Sequence, residues 1–243
     1  MSALLDEVLA AHGGLEQWRA VTALTAYGRF GGVLQSRFPG NRMADVEVRV
    51  QLAEQRAVFY GFPQRDRQVV FDRGDVRIET RDGEWIDGRR NARAAFGGLS
   101  GLRRNIRWDA LDAGYFAGYA WWNYLSTPLL LTREGVTVTE GGNWREGGEQ
   151  WRRLDVSFPS GLHTHSHRQR FYVDAAGLIR RHDYVARPIG AWAHAAHYCN
   201  EHRHFSGLVF PTHRRVRPRG PGGRSLPRPV LVALDIDQID VET

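Results

Sequence analysis

Lysine is absent: all 33 basic side chains are arginine. A GC-rich genome accounts for this without any selection on function. The sharper explanation is anion binding through the two-pronged guanidinium, and composition does not separate the two. Cysteine is nearly absent, and the lone Cys199 excludes an internal disulfide, as suits a reducing compartment. No apolar run is long enough to cross a bilayer as a helix, so no membrane insertion is expected. The amino terminus, MSALLDEVLAAHGG, has no basic segment ahead of an apolar one, and Asp6 and Glu7 interrupt its apolar run. The expectation from this pattern is a cytoplasmic protein. Also missing are the G-x-S-x-G elbow, the phosphate-binding P-loop and a G-x-G-x-x-G turn placed after a strand. The stretch RRVRPRGPGGRSLPRP is arginine-rich, but 27 acidic residues balance it and no nucleic-acid module accompanies it. A solvated surface hairpin is expected there, with no nucleic-acid partner.

What is present is an ordinary globular composition of 243 residues, 42% hydrophobic and 25% charged. That length buries a core without help from a metal or a disulfide. No repeat or linker divides the chain, so residues 1–243 read as one domain. Ser2 is placed to cap a helix running to about His12, with Leu5, Val8 and Leu9 on one face. From Thr22 the period becomes two. TALTAYGRFGGV is a strand, SRFPGNR breaks it, and Val46, Val48, Val50 and Leu52 then share one face. AVFYGF, QVVFDRG and VRIETRDGEWID continue an antiparallel meander with a hairpin turn at Asp82-Gly83. From about 91 to 131 the chain turns rich in alanine, leucine and aromatics. Asp109 is placed to cap a helix reaching about Ser126, ahead of Pro128. Tyr115, Tyr119 and Trp122 recur at helical spacing, as in a helical lid laid over a sheet or over an apolar ligand. Strands return at VTVTEG and EQWRRLDVSF and end with VLVALDIDQIDV.

The opening AHGGLEQWRAVTALTAYGRF, the hairpin FYVDAAGLIRRHDY and the closing FSGLVFPTHRRV resemble lipoprotein carriers of the LolA and LolB type. The resemblance implies a mainly β, α+β fold: a single antiparallel half-open β-barrel with helices covering its concave face. It also implies a cavity for acyl chains or another apolar ligand. VioE, a cofactor-free enzyme of violacein biosynthesis, is a cytoplasmic relative of that fold. The RRHDY, AHYC and FPT segments are also similar to an uncharacterised bacterial family without a known activity.

Nine of the ten histidines lie between His163 and Arg217, beside Tyr172, Tyr184, Tyr198 and Cys199. Side chains alternate along strands. Ile179, Arg181, Asp183 and Val185 therefore share one face, and His182 and Tyr184 the other. His197 and Cys199 alternate with Tyr198, and Thr212 and Arg214 with His213. One pairing of these strands gathers Arg181, Asp183, His197, Thr212 and Arg214 in an apolar cup. The rival face holds His182, Tyr184, Tyr198 and His213, and a slip of one residue exchanges them. The expected function is a cofactor-independent acid–base enzyme, an isomerase, lyase or hydrolase. Its substrate is a small apolar or aromatic molecule, with or without an acidic group. His182, Asp183, Tyr184 and His197 make the acid–base set, with Asp183 setting the tautomer of an adjacent imidazole. Arg181 and Arg214 orient the substrate, with Tyr198, Thr212, Tyr119 and Trp122 completing the binding surface. The first alternative is a non-catalytic carrier of a lipid or hydrophobic metabolite. The second is a metal-dependent enzyme, with His163, His165 and His167 alternating along a strand as ligands. The expected cofactor is none. A structural Asp–Arg–His network bracing the sheet competes with every catalytic reading.

Overall fold

Alternation at period two runs through most of this chain, and the backbone follows it. The protein is described by a computed structural model over residues 2–38, 44–97, 104 and 107–243. Residues 39–43, within the SRFPGNR break, and 98–103, 105 and 106, within the lid segment, lie outside the described residues.

Two short helices open the chain, α1 (Ala3–Ala11) and α2 (Leu15–Ala20). The Ser2 hydroxyl accepts a hydrogen bond from the Leu5 amide at 3.3 Å, so the expected cap is in place. Five strands and a short sixth then form the meander: β1 (Ala23–Gly31), β2 (Asp45–Gln51), β3 (Arg56–Tyr60), β4 (Arg67–Asp72), β5 (Asp75–Thr80) and β6 (Trp85–Arg89). In β2, Val46, Val48 and Val50 are buried, while the intervening residues are half-buried or exposed. After α3 (Ala110–Ser126) come β7 (Thr137–Glu146), β8 (Glu149–Ser157), β9 (Arg168–Val173), β10 (Ile179–Val185), β11 (His194–Phe205), β12 (Leu208–Pro218) and β13 (Val232–Glu242).

All thirteen strands form one antiparallel sheet in the order β6-β5-β4-β3-β2-β1-β13-β12-β11-β10-β9-β8-β7, and the sheet is not closed into a barrel. The mainly β half-barrel is therefore the observed fold. The first and last strands meet in the middle of the sheet, where Ala23 opposes Glu242. The connection from β6 to β7 carries α3 across the concave face.

Helix α3 starts at a capping box: Asp109 accepts from the Asp112 amide and Asp112 accepts from the Asp109 amide. Arg89 binds both carboxylates, at 2.8 and 2.5 Å. The helix lies against β2 to β5. Its glycines allow this approach, since a Cβ at Gly114 would overlap Val69 and one at Gly118 would overlap Phe71. Every residue from Leu111 to Ser126 is buried. The helix is thus a plug that fills the cup, more than a lid over an empty one. Its last carbonyls lie in the concave face, where Arg214 donates to the Tyr124 carbonyl at 3.2 Å. A cation at a helix C-terminus meets the negative end of the helix dipole.

Three local expectations are corrected. His163, His165 and His167 do not alternate along a strand: the segment between β8 and β9 is a loop. There His163 and His165 turn under α3 and His167 is exposed. Strand β10 is interrupted by a bulge between Ile179 and Arg181, which opposes Ile179 to Val173 and His182 to Phe171. The extra residue puts Ile179 on the face of His182 and not of Arg181. Finally, the arginine-rich loop is not a free hairpin. The Gly223 carbonyl accepts from Arg181, and Ser225 hydrogen-bonds Tyr198, so the loop is fastened to the outer face of the sheet.

Candidate functional site

Register decides which side chains meet. His182 opposes His197, Arg181 opposes Tyr198, and Cys199 opposes Arg214. His182, Tyr184, His197, Cys199 and Arg214 therefore face the concave side. Arg181, Asp183 and Tyr198 face the outer side. Alternation holds from Arg181 to Tyr184, beyond the bulge that separates Ile179 from them, but the cross-strand grouping of Arg181 and Asp183 with His197, Thr212 and Arg214 does not. No Asp183–His182 or Asp183–His197 pair forms.

On the outer face, Arg181 is fully buried. It grips Asp183 through two bonds of 2.6 and 2.9 Å and donates to Glu146 at 2.5 Å. The rings of Trp144, Tyr172 and Tyr198 surround its guanidinium at 5.0–5.6 Å. Tyr172 donates to Asp183 at 3.1 Å, and Tyr198 donates to Glu146. This network satisfies a buried charge and braces the sheet. Arg181, Asp183 and Tyr198 are tied together on this face, and none of them lines the apolar cavity described below.

On the concave face, His165 lies at the centre of a hydrogen-bonded chain. Its Nδ1 meets the Tyr119 hydroxyl at 3.1 Å and its Nε2 the Tyr124 hydroxyl at 2.9 Å. Tyr124 meets the Tyr184 hydroxyl at 3.2 Å, and His165 stacks on Tyr184 with ring centroids 3.8 Å apart. Burial holds His165 down to about 3. A neutral imidazole has one donor and one acceptor, so it can relay between the two hydroxyls. The sequence reading misses Tyr124 and assigns His165 only to metal, because helix and loop meet across some forty residues. His163 hydrogen-bonds Tyr115 at 3.0 Å. Among the described residues, no group of three or more His, Cys, Asp or Glu is placed to hold a metal.

Behind this chain, His182 stacks on Phe171 at 4.1 Å and meets the Gln169 side-chain oxygen. His197 lies edge-on to Tyr124 at 4.6 Å, and neither of its ring nitrogens has a partner among the described residues. Burial first, then the nearby Arg214 charge, keeps His197 well below its usual range. Burial first, then His165, does the same to His182. Thr212 donates to the Glu201 carbonyl at 2.6 Å. Trp122 donates to the carbonyls of Gln51 and Glu54 at 2.7 and 2.9 Å and so anchors the helix to the turn after β2. Thr212 and Trp122 act as braces, and neither lines a pocket described below.

Open space lies at one end of the concave face. A cavity of about 220 Å³ is walled by Leu34, Phe116, Tyr124, Tyr184, Ala186, Ile189, Ala193, Val216 and Leu231, with Val33 and Trp192 at its rim. Val33 and Trp192 are 53% and 67% exposed, high for such side chains. A narrower apolar recess, sharing Phe116, Tyr124 and Val232, continues between α3 and Phe30 and Phe38. Tyr184 and Tyr124 thus stand at the cavity wall with His165 and Tyr119 behind them. A larger groove of about 430 Å³ on the outer face is polar and carries both charge signs, with Asp155, Arg168, Arg170 and Arg219. Concave shape and apolar walls favour the smaller cavity as the binding site.

An open antiparallel half-barrel plugged by a helix and holding an apolar cavity at its mouth is a LolA-like fold. No protein-family model matches the chain, and no curated protein matches its sequence. Solved structures do. A LolA superfamily protein from Nitrosomonas europaea aligns at 10% identity over 100% of this chain and 95% of that one, with a TM-score of 0.54. A DUF1329 family protein from Desulfovibrio piger aligns at 13% identity over 99% and 92%, TM-score 0.51. A domain from Vibrio parahaemolyticus assigned to outer membrane lipoprotein sorting aligns at 8% identity over 99% and 91%, TM-score 0.51. This last neighbour overturns the expectation of a cytoplasmic protein. That expectation rested on the charge pattern of the first residues, whereas the fold is shared with a protein of outer membrane lipoprotein sorting.

Proposed function

We propose that the protein binds a small hydrophobic molecule in the cavity at the mouth of the half-barrel and carries it unchanged. One observation carries this reading: a concave cavity of about 220 Å³, apolar over most of its wall and, among the described residues, without an acidic side chain in its lining. The fold, and a neighbour assigned to lipoprotein sorting, support it. So does the position of the titratable groups. Asp183 is on the opposite face from His182 and His197, and both histidines lie behind the tyrosines and are held neutral. An acid–base set of these residues does not converge on the cavity. Size sets the cargo. A cavity of about 150 Å³ holds benzene, and drug-sized ligands take about 300–1,000 Å³. The occupant is one ring system or one short chain.

Isothermal titration with octan-1-ol tests this. Saturable binding is expected in the native protein, and loss of binding in Ala193→Trp, which fills the cavity from its wall. Absence of binding in the native protein, or its persistence in Ala193→Trp, refutes the assignment. A second reading, acid–base turnover at Tyr184, is favoured by the hydroxyl–imidazole chain that ends there. A molecule recovered chemically altered after incubation, with the alteration lost in Tyr184→Phe, would establish turnover in place of carriage.

A further inference from the structure

Among the described residues, the lining of the apolar cavity carries charges of one sign only. Arg37, at the end of the 3-10 turn Val33–Arg37, and Arg219, just beyond β12, both line it, and His194 stands at the start of β11 beside them. Among the described residues, no aspartate or glutamate lines it. The two arginines are not equivalent. Arg219 meets His194 Nδ1 at 3.1 Å and lies 3.6 Å from the Asp183 carboxylate. Arg37 has no ion pair or side-chain hydrogen bond to a described residue, and its Nη1 is buried without a partner. Its guanidinium lies 6.0 Å from the Trp108 ring centroid, and among the described residues that π-face is what offsets its charge. A half-buried cation beside an apolar cavity gains most from an anion, because the attraction acts in poorly hydrated surroundings. Burial accordingly depresses the pKa of Arg37.

We propose that the occupant of the cavity is a single-chain or single-ring hydrophobic carboxylate, its apolar body against Phe116, Ile189 and Leu231 and its carboxylate on Arg37, with Arg219 as a second donor. The proposal rests on the binding reading above and names its ligand class. A guanidinium receives a carboxylate through two parallel N–H bonds, which an alcohol cannot match. Scaled from the benzene cavity, about 220 Å³ accommodates roughly nine carbons.

The experiment compares octanoate with octan-1-ol, two probes of equal chain length, by isothermal titration at pH 8. Octanoate is expected to bind the native protein at least about tenfold more tightly than octanol, an energy within the range of a charge-assisted hydrogen bond. Arg37→Gln is expected to abolish the preference, so that octanoate and octanol bind that variant with similar affinity. Arg219→Gln is expected to weaken octanoate less. Equal affinity for the two probes in the native protein overturns the anion assignment while leaving the cavity occupied. Failure of both probes overturns the binding reading as well. An octanoate preference that survives Arg37→Gln in a folded variant removes the role given to Arg37. The native comparison requires no variant, so it decides the ligand class even if Arg37→Gln fails to fold.

Discussion

His197 is completely enclosed, yet neither ring nitrogen meets a partner among the described residues. An unsatisfied buried polar group costs about 1–3 kcal/mol, so replacement by an apolar side chain of similar volume should be neutral or favourable. His197→Leu is therefore expected to keep or raise the urea midpoint. A clear loss of stability would show that the imidazole has a partner it needs. The opposite is expected where removal strands a neighbour. Tyr124→Phe leaves His165 Nε2 and the Tyr184 hydroxyl without their shared partner, a loss of about 1–3 kcal/mol in the same measurement. Arg181→Met takes from buried Asp183 its two-bond partner and leaves it only the Tyr172 hydroxyl and the more distant Arg219, and breaking such a buried pair costs about 3–5 kcal/mol. Little change in Arg181→Met would mean that the outer-face network does not brace the sheet.

At the scale of elements, close approach sets the position of the central helix. A methyl group at Gly118 would overlap the Cβ of Phe71, so Gly118→Ala must shift α3 from β4. Overpacking of this kind costs about 1–3 kcal/mol, against a gain of up to about 1 kcal/mol in helix propensity. A net fall in melting temperature is expected, and a rise would mean that the helix can move freely over the sheet. What the sequence makes legible here is what depends on near neighbours. Ser2 and Asp109 read as caps because a cap bonds a residue three positions on, and Val46, Val48 and Val50 read as one face because alternation is local. The bulge at Ile179 to Arg181 is set by the partner strand, and it shifts a whole group of candidate site residues to the other face. The loop at His163 to His167 looks like a strand on alternation alone, and only the tyrosines of α3 reveal what its histidines do.

Over the whole molecule, the buried histidines make stability depend on pH. Burial lowers His12 to about 4 and His165 to about 3, and takes His182 and His197 well below the ordinary range. In the unfolded chain these groups titrate near 6.5. Between roughly 6.5 and the folded values the unfolded state binds more protons than the native one. Stability is thus full above pH 6.5 and declines as the pH falls, by up to about 1.4 kcal/mol per pH unit for each histidine concerned. Thermal unfolding should show a plateau above pH 7.5 and a steep drop from pH 6.5 to 4. A flat profile would mean that these rings are solvated. The cavity is a property of this same scale. Arg37 and Arg219 come from opposite ends of the chain, and no local pattern pairs them.

Strand β13 enters the sheet between β1 and β12, at its centre and not at its rim. The residues joined there, Ala23 and Glu242, are nearly a full chain length apart. During synthesis the β1 edge of the first six strands and the β12 edge of the later ones therefore stay unpaired until β13 is made. Exposed edges of that kind recruit other chains, and pairings this distant in sequence form slowly. The protein is most open to aggregation or to holding by a chaperone in the interval just before β13 leaves the ribosome.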